Sequence, residues 1–178
     1  MTRFLTTTGP ESSGKTTLAT ALADALQAPL VTEASRDYLT ALYRRQPDYQ
    51  YGPADLLAIA RLQFAREQQA LAGALPFIIC DTDLLVIIVW SEVRYGQAEP
   101  ALLELYRQSL AAAPRDYLLC DHSIPWEPDP LREHPHQRDM LAAHYRRKLA
   151  ELAVPHTIVS GDPPQRLQQS LALVQRRH

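Results

Sequence analysis

Residues 9–16 constrain this chain more than any other part of its sequence. They are Gly-Pro-Glu-Ser-Ser-Gly-Lys-Thr and match the pattern G-x-x-x-x-G-K-[ST] without a mismatch. An apolar, β-branched run, residues 4–8, precedes them, and a helical stretch, residues 16–27, follows. A strand, a glycine-rich loop and a helix in this order wrap backbone N–H groups around phosphates, and the helix N-terminus adds positive charge there. The alternative, a chance turn rich in Gly and Ser, is disfavoured by the strand and helix around it.

Individual residues of this phosphate-binding loop have distinct expected tasks. Gly9 and Gly14 permit close approach of the backbone to a ligand. Lys15 is long enough to reach the β- and γ-phosphates, and the hydroxyl of Thr16 can ligate Mg²⁺. Glu11 is unusual, since it places negative charge near phosphates. It is expected to orient an arginine or a substrate, and the sequence leaves both possibilities open.

Size and charge limit the class of protein. The chain has 178 residues, which predicts a single domain, and 46% of them are hydrophobic, enough for a full core. The formal net charge of −2 argues against a general nucleic-acid binder, which is normally strongly basic.

The sequence also predicts a cytoplasmic protein without a membrane-spanning segment. The longest apolar run, residues 84–90, is too short to span a bilayer. The N-terminus lacks the basic and apolar segments of a signal peptide. Cys80 and Cys120 each end an apolar run before an aspartate, so we expect reduced, buried thiols rather than a disulfide.

Short apolar runs alternate with helical patterns along the chain. Five runs resemble buried parallel strands: residues 4–8, 29–32, 77–80, 117–120 and 156–160. Helical patterns cover residues 16–27, 53–75, 102–112, 138–153 and 164–176. Residues 84–90 favour a strand by propensity. A second parallel strand directly after residues 77–80 would leave no room for a crossover, so we predict a helix over residues 83–94. The pattern predicts an α/β fold with a five-stranded parallel sheet and helices on both faces.

Residues 122–138 fit neither a strand nor a long helix. They contain several prolines together with charged and histidine residues. A long polar connection in a compact domain is usually functional or mobile. In a phosphotransferase it would be a lid that brings arginines to the phosphates. A solvated surface loop is the alternative.

Polar residues follow the predicted strands at the edge of the sheet where ligands gather in doubly wound folds. Asp81 and Asp83 follow the third strand, and a helix cap fits Asp83 better than Asp81. We therefore expect Asp81 to hold Mg²⁺ and Asp83 to be either a cap or a substrate ligand. Glu33 follows the second strand and could accept the proton of an attacking hydroxyl. Arg36 could pair with phosphate or with Asp37. The convergence of these groups supports a phosphotransferase site.

Four segments together resemble the kinase domain of the NadR family. They are Gly-Pro-Glu-Ser-Ser-Gly-Lys-Thr-Thr from Gly9, Glu-Ala-Ser-Arg-Asp-Tyr from Glu33, Asp-Thr-Asp from Asp81, and Pro-Trp at 125–126 with Asp129 and Arg132. The resemblance runs from about residue 4 to residue 174. That family phosphorylates nicotinamide riboside with ATP to give nicotinamide mononucleotide. It implies a P-loop NTPase fold with the lid at about 122–138.

The resemblance implies the following site. ATP would be bound by Gly9, Glu11, Ser12, Ser13, Gly14, Lys15, Thr16 and Thr17, with Mg²⁺ near Thr16 and Asp81. The riboside would lie in a cleft edged by Glu33, Arg36, Tyr38, Asp83 and Trp126. Arg132 and Arg138 would be the lid arginines. Full-length NadR proteins carry an adenylyltransferase domain ahead of this kinase, whereas here the phosphate-binding loop begins at residue 9; any such activity is expected from another protein.

The leading hypothesis is therefore a small-molecule kinase whose catalytic residues are Lys15, Glu33, Asp81, Arg132 and Arg138. Either Glu33 or Asp81 would orient or deprotonate the riboside hydroxyl. The expected partner is a small riboside, not nucleic acid or a membrane, and the oligomeric state stays open. A kinase for another nucleoside or nucleotide and a nucleotide-sensing regulatory ATPase are the rival hypotheses.

Overall fold

Strands and helices alternate in the computed structural model, which describes residues 1–73, 75–128 and 137–177. The strands are β1 (Arg3–Thr8), β2 (Leu30–Val31), β3 (Phe77–Asp81), β4 (Arg115–Cys120) and β5 (His156–Val159). The helices within these ranges are α1 (Lys15–Leu26), α2 (Ala34–Arg45), α3 (Pro53–Leu71), α4 (Leu84–Tyr95), α5 (Pro100–Ala112), α6 (Arg138–Glu151) and α7 (Pro163–Arg177). All five predicted strands are confirmed.

The five strands form one parallel sheet in the order β2-β3-β1-β4-β5. The central strand β1 pairs with β3, where Thr7 faces Asp81, and with β4, where Thr8 faces Leu119. Because all strands run in the same direction, their carboxyl ends lie at one edge of the sheet. The phosphate-binding loop, Glu33, Asp81 and Asp121 therefore start from the same edge, as the sequence predicts.

Helices cover both faces of the sheet, as expected. On one face α1 packs against α7 over a core that includes Leu5, Ile79 and Leu118. On the other face α3 packs against α4 and α5, and the core includes Tyr117 and Leu119 from β4. Consecutive β4 residues thus point to opposite faces and both are buried, which is why the strand is apolar without alternation.

The ambiguous run at residues 84–90 is helical, because it lies inside α4. Its residues are buried almost all round, which suits a helix enclosed between α3, α5 and the sheet. The helix α2 was not predicted from the sequence. It is polar, with Ala34, Ser35 and Leu39 as its buried residues, so its apolar face is too narrow to stand out as a pattern.

Cys80 and Cys120 are free, buried thiols, as the sequence predicts. Burial raises the pKa of both, to about 11 for Cys120, so both are inert thiols at neutral pH. Across the described ranges, no helix is both long and apolar enough to cross a bilayer. Of the expected lid, residues 129–136 lie outside the described residues, so the lid stays a prediction.

Candidate active site

Two glycines shape the loop between β1 and α1. Gly9 has φ +132°, and a Cβ there would lie 2.7 Å from the carbonyl oxygen of Cys120. Gly14 caps α1 in the left-handed conformation, with φ +79°. Side chains at these positions would meet a clash in the first case and backbone strain in both. The loop is therefore built as the G-x-x-x-x-G-K-[ST] pattern predicts.

Lys15 lies across the loop that it belongs to. Its Nζ donates hydrogen bonds to the carbonyl oxygens of Pro10, at 2.7 Å, and Gly9, at 3.1 Å. The hydroxyl of Ser13 donates to the same Pro10 oxygen at 2.7 Å. These bonds hold the lysine charge at the mouth of the loop, where phosphate oxygens can replace the carbonyls as its acceptors.

Thr16 and Asp81 lie together at the start of α1 and the end of β3. The Asp81 side chain hydrogen-bonds with Thr16, while its Oδ1 atom is buried without a hydrogen-bond partner. Burial raises the pKa of the Asp81 carboxyl, and the Thr16 hydrogen bond and the charges of Lys15 and Arg36 oppose that rise. An unsatisfied carboxylate oxygen beside a threonine hydroxyl fits a hard cation such as Mg²⁺.

A cation at this point would need further ligands from phosphate and water. Among the described residues, no group of three or more His, Cys, Asp or Glu side chains could hold a metal ion by itself. Mg²⁺ commonly binds through one or two protein groups and keeps its other ligands from substrate phosphates and water. The pair of Thr16 and Asp81 is of this kind.

Glu33 is fixed at the junction of β2 and α2. It precedes the first residue of α2, and its Oε1 accepts a 2.6 Å hydrogen bond from the hydroxyl of Ser35. The first backbone N–H of the helix, from Ala34, donates to Oε1 of Gln63 on α3 at 2.9 Å. Gln63 is almost fully buried and so anchors the helix that carries Glu33.

One cavity of about 400 Å³ connects the loop with Glu33. Its lining combines the phosphate-binding loop, charged groups and an apolar wall. Outside the loop, the lining includes Glu33, Arg36, Trp90, Tyr145 and Arg166. A pocket of this size and mixed lining suits a small ligand with a planar part placed beside phosphates.

Aromatic side chains from α4 and α6 form part of the cavity wall. Trp90 stacks on Tyr51 with ring centroids 6.5 Å apart, and the guanidinium of Arg94 lies 4.3 Å from the centre of the Tyr51 ring. Tyr145 is buried at the cavity, and desolvation and the charges of Glu33 and Glu11 raise the pKa of its phenol. The wall is thus aromatic and close to negative charge.

Three residues expected at the riboside, Tyr38, Asp83 and Trp126, are not among the described residues that line the cavity. The hydroxyl of Tyr38 donates to Asp55 at 2.8 Å, and this bond, with burial, raises its pKa to about 12. Asp83 caps α4 by accepting from the N–H of Leu85, and it is 1% exposed. Of the two open roles for Asp83, the structure supports the cap.

Arg36 and Trp126, also expected at the riboside, have different surroundings. Arg36 is exposed and lines the cavity, while Asp37, its suggested partner, accepts a 2.6 Å bond from Arg66. Trp126 lies beside Arg138, whose guanidinium carbon is 6.0 Å from the centre of its ring. Of the five residues expected at the riboside, Glu33 and Arg36 therefore line the cavity, and the riboside role of the other three stays a prediction.

Ser12 connects the phosphate-binding loop with residues that follow β4. Its hydroxyl accepts from the N–H of Glu127 at 2.9 Å, and its carbonyl accepts from Nη2 of Arg138 at 3.0 Å. Arg138 also donates to the carbonyl of Ile124 at 2.9 Å. Arg138 thus contacts the loop backbone, whereas Arg132 lies outside the described residues.

Sequence reasoning missed Trp90, Tyr145, Gln63 and Arg166. Trp90 and Tyr145 belong to helices that were predicted, but nothing in their spacing shows which face meets the cavity. Gln63 and Arg166 are polar residues that the fold buries, at 2% and 3% exposure. A polar residue on the inner face of an amphipathic helix is the signal that could have identified Gln63.

Comparison with known proteins agrees with this fold. A family model described as an AAA domain matches residues 5–166. The trifunctional NAD biosynthesis/regulator protein NadR of Salmonella typhimurium is 30% identical over 128 residues, which cover 70% of this chain and 29% of that protein. The chain thus corresponds to less than a third of this curated relative.

Solved structures share the fold at lower identity. A NadR protein in complex with NR superimposes with a TM-score of 0.74 at 22% identity, over 98% of this chain and 50% of that one. Thymidylate kinase from Ehrlichia chaffeensis superimposes with a TM-score of 0.68 at 15% identity, over 99% of both chains. At these identities the likeness shows a common fold.

Proposed function

This chain belongs to the AAA domain family, and we propose that it is an ATP-dependent small-molecule kinase. The observation that carries the proposal is the common cavity, in which the phosphate-binding loop and Glu33 line the same space of about 400 Å³. A donor phosphate on the loop and an acceptor hydroxyl at Glu33 would then meet in the same space. Phosphoryl transfer requires this positioning more than covalent chemistry from the protein.

Each group at the cavity has a task in such a transfer. The loop N–H groups and Lys15 would hold the phosphates and stabilise charge on the transferring group. Thr16 and Asp81 would hold Mg²⁺, which neutralises phosphate charge when bound. Glu33 would accept or orient the proton of the acceptor hydroxyl, because its carboxylate is fixed by Ser35 at the cavity.

We propose that the acceptor is a riboside, with nicotinamide riboside as the first candidate. Trp90 and Tyr145 supply aromatic surface at the cavity, and Glu33 and Glu11 supply negative charge near Tyr145. Aromatic faces and carboxylates together favour a planar cation such as the nicotinamide ring, through cation–π contacts of about 0.5–2 kcal/mol. The 30% identity with part of NadR and the fold shared with a NadR protein that binds NR support the same choice.

An acceptor screen tests this proposal. The purified protein is incubated with ATP, magnesium and nicotinamide riboside, adenosine, uridine, thymidine or thymidine monophosphate, and products are identified by mass. We expect nicotinamide riboside to have the highest kcat/KM. Faster phosphorylation of thymidine or of the monophosphate would assign the site to another nucleoside or nucleotide kinase. Tight ATP binding without turnover on any acceptor would instead support a nucleotide sensor.

A further inference from the structure

Arg166 is a buried arginine that lies far in sequence from the phosphate-binding loop and next to it in space. It belongs to the start of α7, is 3% exposed and lines the cavity at the loop. A Cβ on Gly14 would be 3.5 Å from its Nη1 atom. Because burying a guanidinium is costly unless it is paired, its partners indicate what it stabilises.

The guanidinium joins three segments of backbone. Nη1 donates to the carbonyl of Ser13 at 2.6 Å, and Nε donates to the carbonyl of Gly161 at 2.8 Å. Nη2 donates to Oδ1 of Asp121 at 2.5 Å and to its carbonyl at 3.3 Å. Arg166 thus ties the phosphate-binding loop to the end of β4 and to the β5–α7 connection.

Asp121, which pairs with the guanidinium of Arg166, is itself held in place by a further hydrogen bond. Its Oδ1 also accepts a 2.8 Å hydrogen bond from the hydroxyl of Ser123. Its ion pair with Arg166 has side-chain exposures of 23% and 3%, so water screens it only in part. Charge-assisted bonds of this geometry are stronger than neutral ones.

The bond to Ser13 fixes a peptide group that matters for phosphate binding. In a trans peptide the carbonyl of one residue and the N–H of the next point in opposite directions. Holding the Ser13 carbonyl toward Arg166 therefore turns the N–H of Gly14 to the other side of the loop. A loop that wraps phosphates needs its N–H groups aimed inward, and a free peptide could rotate out of that arrangement.

We propose that Arg166, held by Asp121, is a positioning residue that orients the Ser13–Gly14 peptide for nucleotide binding. Its guanidinium donates to protein oxygens on three segments, which distinguishes it from an arginine that contacts the transferring phosphoryl group. The inference rests on the proposed function only in requiring that the loop binds ATP, and it does not depend on the acceptor.

Calorimetric titration with AMP-PNP and magnesium tests the role without an acceptor. The variants are Arg166→Gln, Arg166→Lys and Asp121→Asn, with Arg176→Gln as the matched control, an exposed arginine of the same helix. We expect Arg166→Gln to raise Kd at least about ten-fold, since a charged hydrogen bond to the loop is lost. Arg166→Lys should raise Kd less, because one ammonium reaches fewer of the acceptors. Arg176→Gln should match the wild type.

A comparison of single and double variants distinguishes a positioning role of Arg166 from direct contact with phosphate. If Arg166 acts through its ion pair with Asp121, Asp121→Asn alone should also raise Kd. The double variant Arg166→Gln with Asp121→Asn should then bind AMP-PNP no worse than Arg166→Gln. Additive effects, or an Asp121→Asn protein with wild-type Kd, would contradict the proposal. So would a lower melting temperature with unchanged Kd, which indicates a structural role alone.

The acceptor assay keeps this test separate from the proposed function. Where Arg166→Gln does not fold, Arg166→Lys and Asp121→Asn carry the comparison. Wild-type protein that binds AMP-PNP but phosphorylates no riboside would overturn the kinase proposal and leave the Arg166 result intact. Wild-type protein that does not bind AMP-PNP would overturn both.

Discussion

Arg115 and Asp83 form an ion pair of 2.7 Å in which the two side chains are 1% and 0% exposed. Arg115 also pairs with Glu67 of α3 at 2.6 Å, and Tyr117 donates to the same Asp83 oxygen at 2.5 Å. Because Asp83 caps α4, this buried cluster fixes the start of the helix that carries Trp90 to the cavity.

Arg115→Met should strongly destabilise the protein. Removing the guanidinium leaves two buried carboxylates without their counter-charge, which costs about 3–5 kcal/mol when one partner of a buried pair is lost. Burial raises the pKa of Asp83 even though the charge of Arg115 opposes that rise. Without the arginine, the ionised form of Asp83 would be still more costly. Urea unfolding measures the change, with exposed Arg107→Met as control. A loss below about 1 kcal/mol would refute the cluster's structural role.

Asp81→Asn should weaken the binding of magnesium while leaving the fold intact. Asparagine has the same shape but lacks the charge that a hard cation requires. We expect the magnesium concentration for half-maximal activity to rise at least about ten-fold, as expected for the loss of a charged ligand. The control is Asp37→Asn, an exposed carboxylate paired with Arg66. An unchanged magnesium titration in a folded Asp81→Asn protein would exclude Asp81 as a magnesium ligand.

Glu33→Gln should lower kcat and leave the KM for ATP unchanged. The amide keeps a hydrogen bond from Ser35 possible but cannot accept a proton, and such general-base loss typically costs about 10²–10⁴-fold. Steady-state kinetics with the best acceptor from the screen measures both constants. Glu99→Gln, at an exposed glutamate before α5, is the control. Equal kcat in Glu33→Gln and Glu99→Gln would return the base role to Asp81.

Trp90→Leu should raise the KM for the riboside about 2- to 30-fold, the range of a lost cation–π contact. Trp126→Leu provides the matched comparison, since Trp90 lines the cavity and Trp126 is not among its described lining residues. Measuring the KM for the riboside at saturating ATP shows which of the two tryptophans contributes to riboside binding. A larger KM effect from Trp126 would favour the arrangement inferred from sequence resemblance.

Stability should fall in acid partly through Glu92. Burial raises the pKa of Glu92, but bonds from Lys148, at 2.6 Å, and His144, at 2.7 Å, outweigh it, and the net pKa is below the usual 4.5. Because the pKa of Glu92 is lower in the folded state, its ionised carboxylate stabilises the protein above about pH 4.5. This stabilisation is lost as the pH falls through the lower pKa of the folded state. Unfolding of wild type and Glu92→Gln should therefore differ at pH 7 and converge in acid. A difference in the free energy of unfolding that stays constant as the pH falls from 7 into acid would exclude this linkage.

Local pattern alone predicted much of the fold. The phosphate-binding loop depends on glycine conformation and on a strand and helix next to it, and these are properties of adjacent residues. The buried strands were visible because strands covered on both faces must be apolar throughout. The helix α4 was predicted for a topological reason, since parallel strands need a crossover.

Only the tertiary structure decided which side chains meet at the cavity. Tyr38 and Glu33 lie five residues apart, yet the hydroxyl of Tyr38 turns to Asp55 while Glu33 lines the cavity. That choice depends on how α2 packs against α3, through contacts between residues far apart in the sequence. The role of Arg166 could not be predicted from local sequence either, because its hydrogen bond to Ser13 joins residues 153 positions apart. The sequence by itself determined the loop and the sheet, since both follow from neighbouring residues. Packing between distant helices determined the walls of the site, since no local pattern encodes which face of one helix meets another.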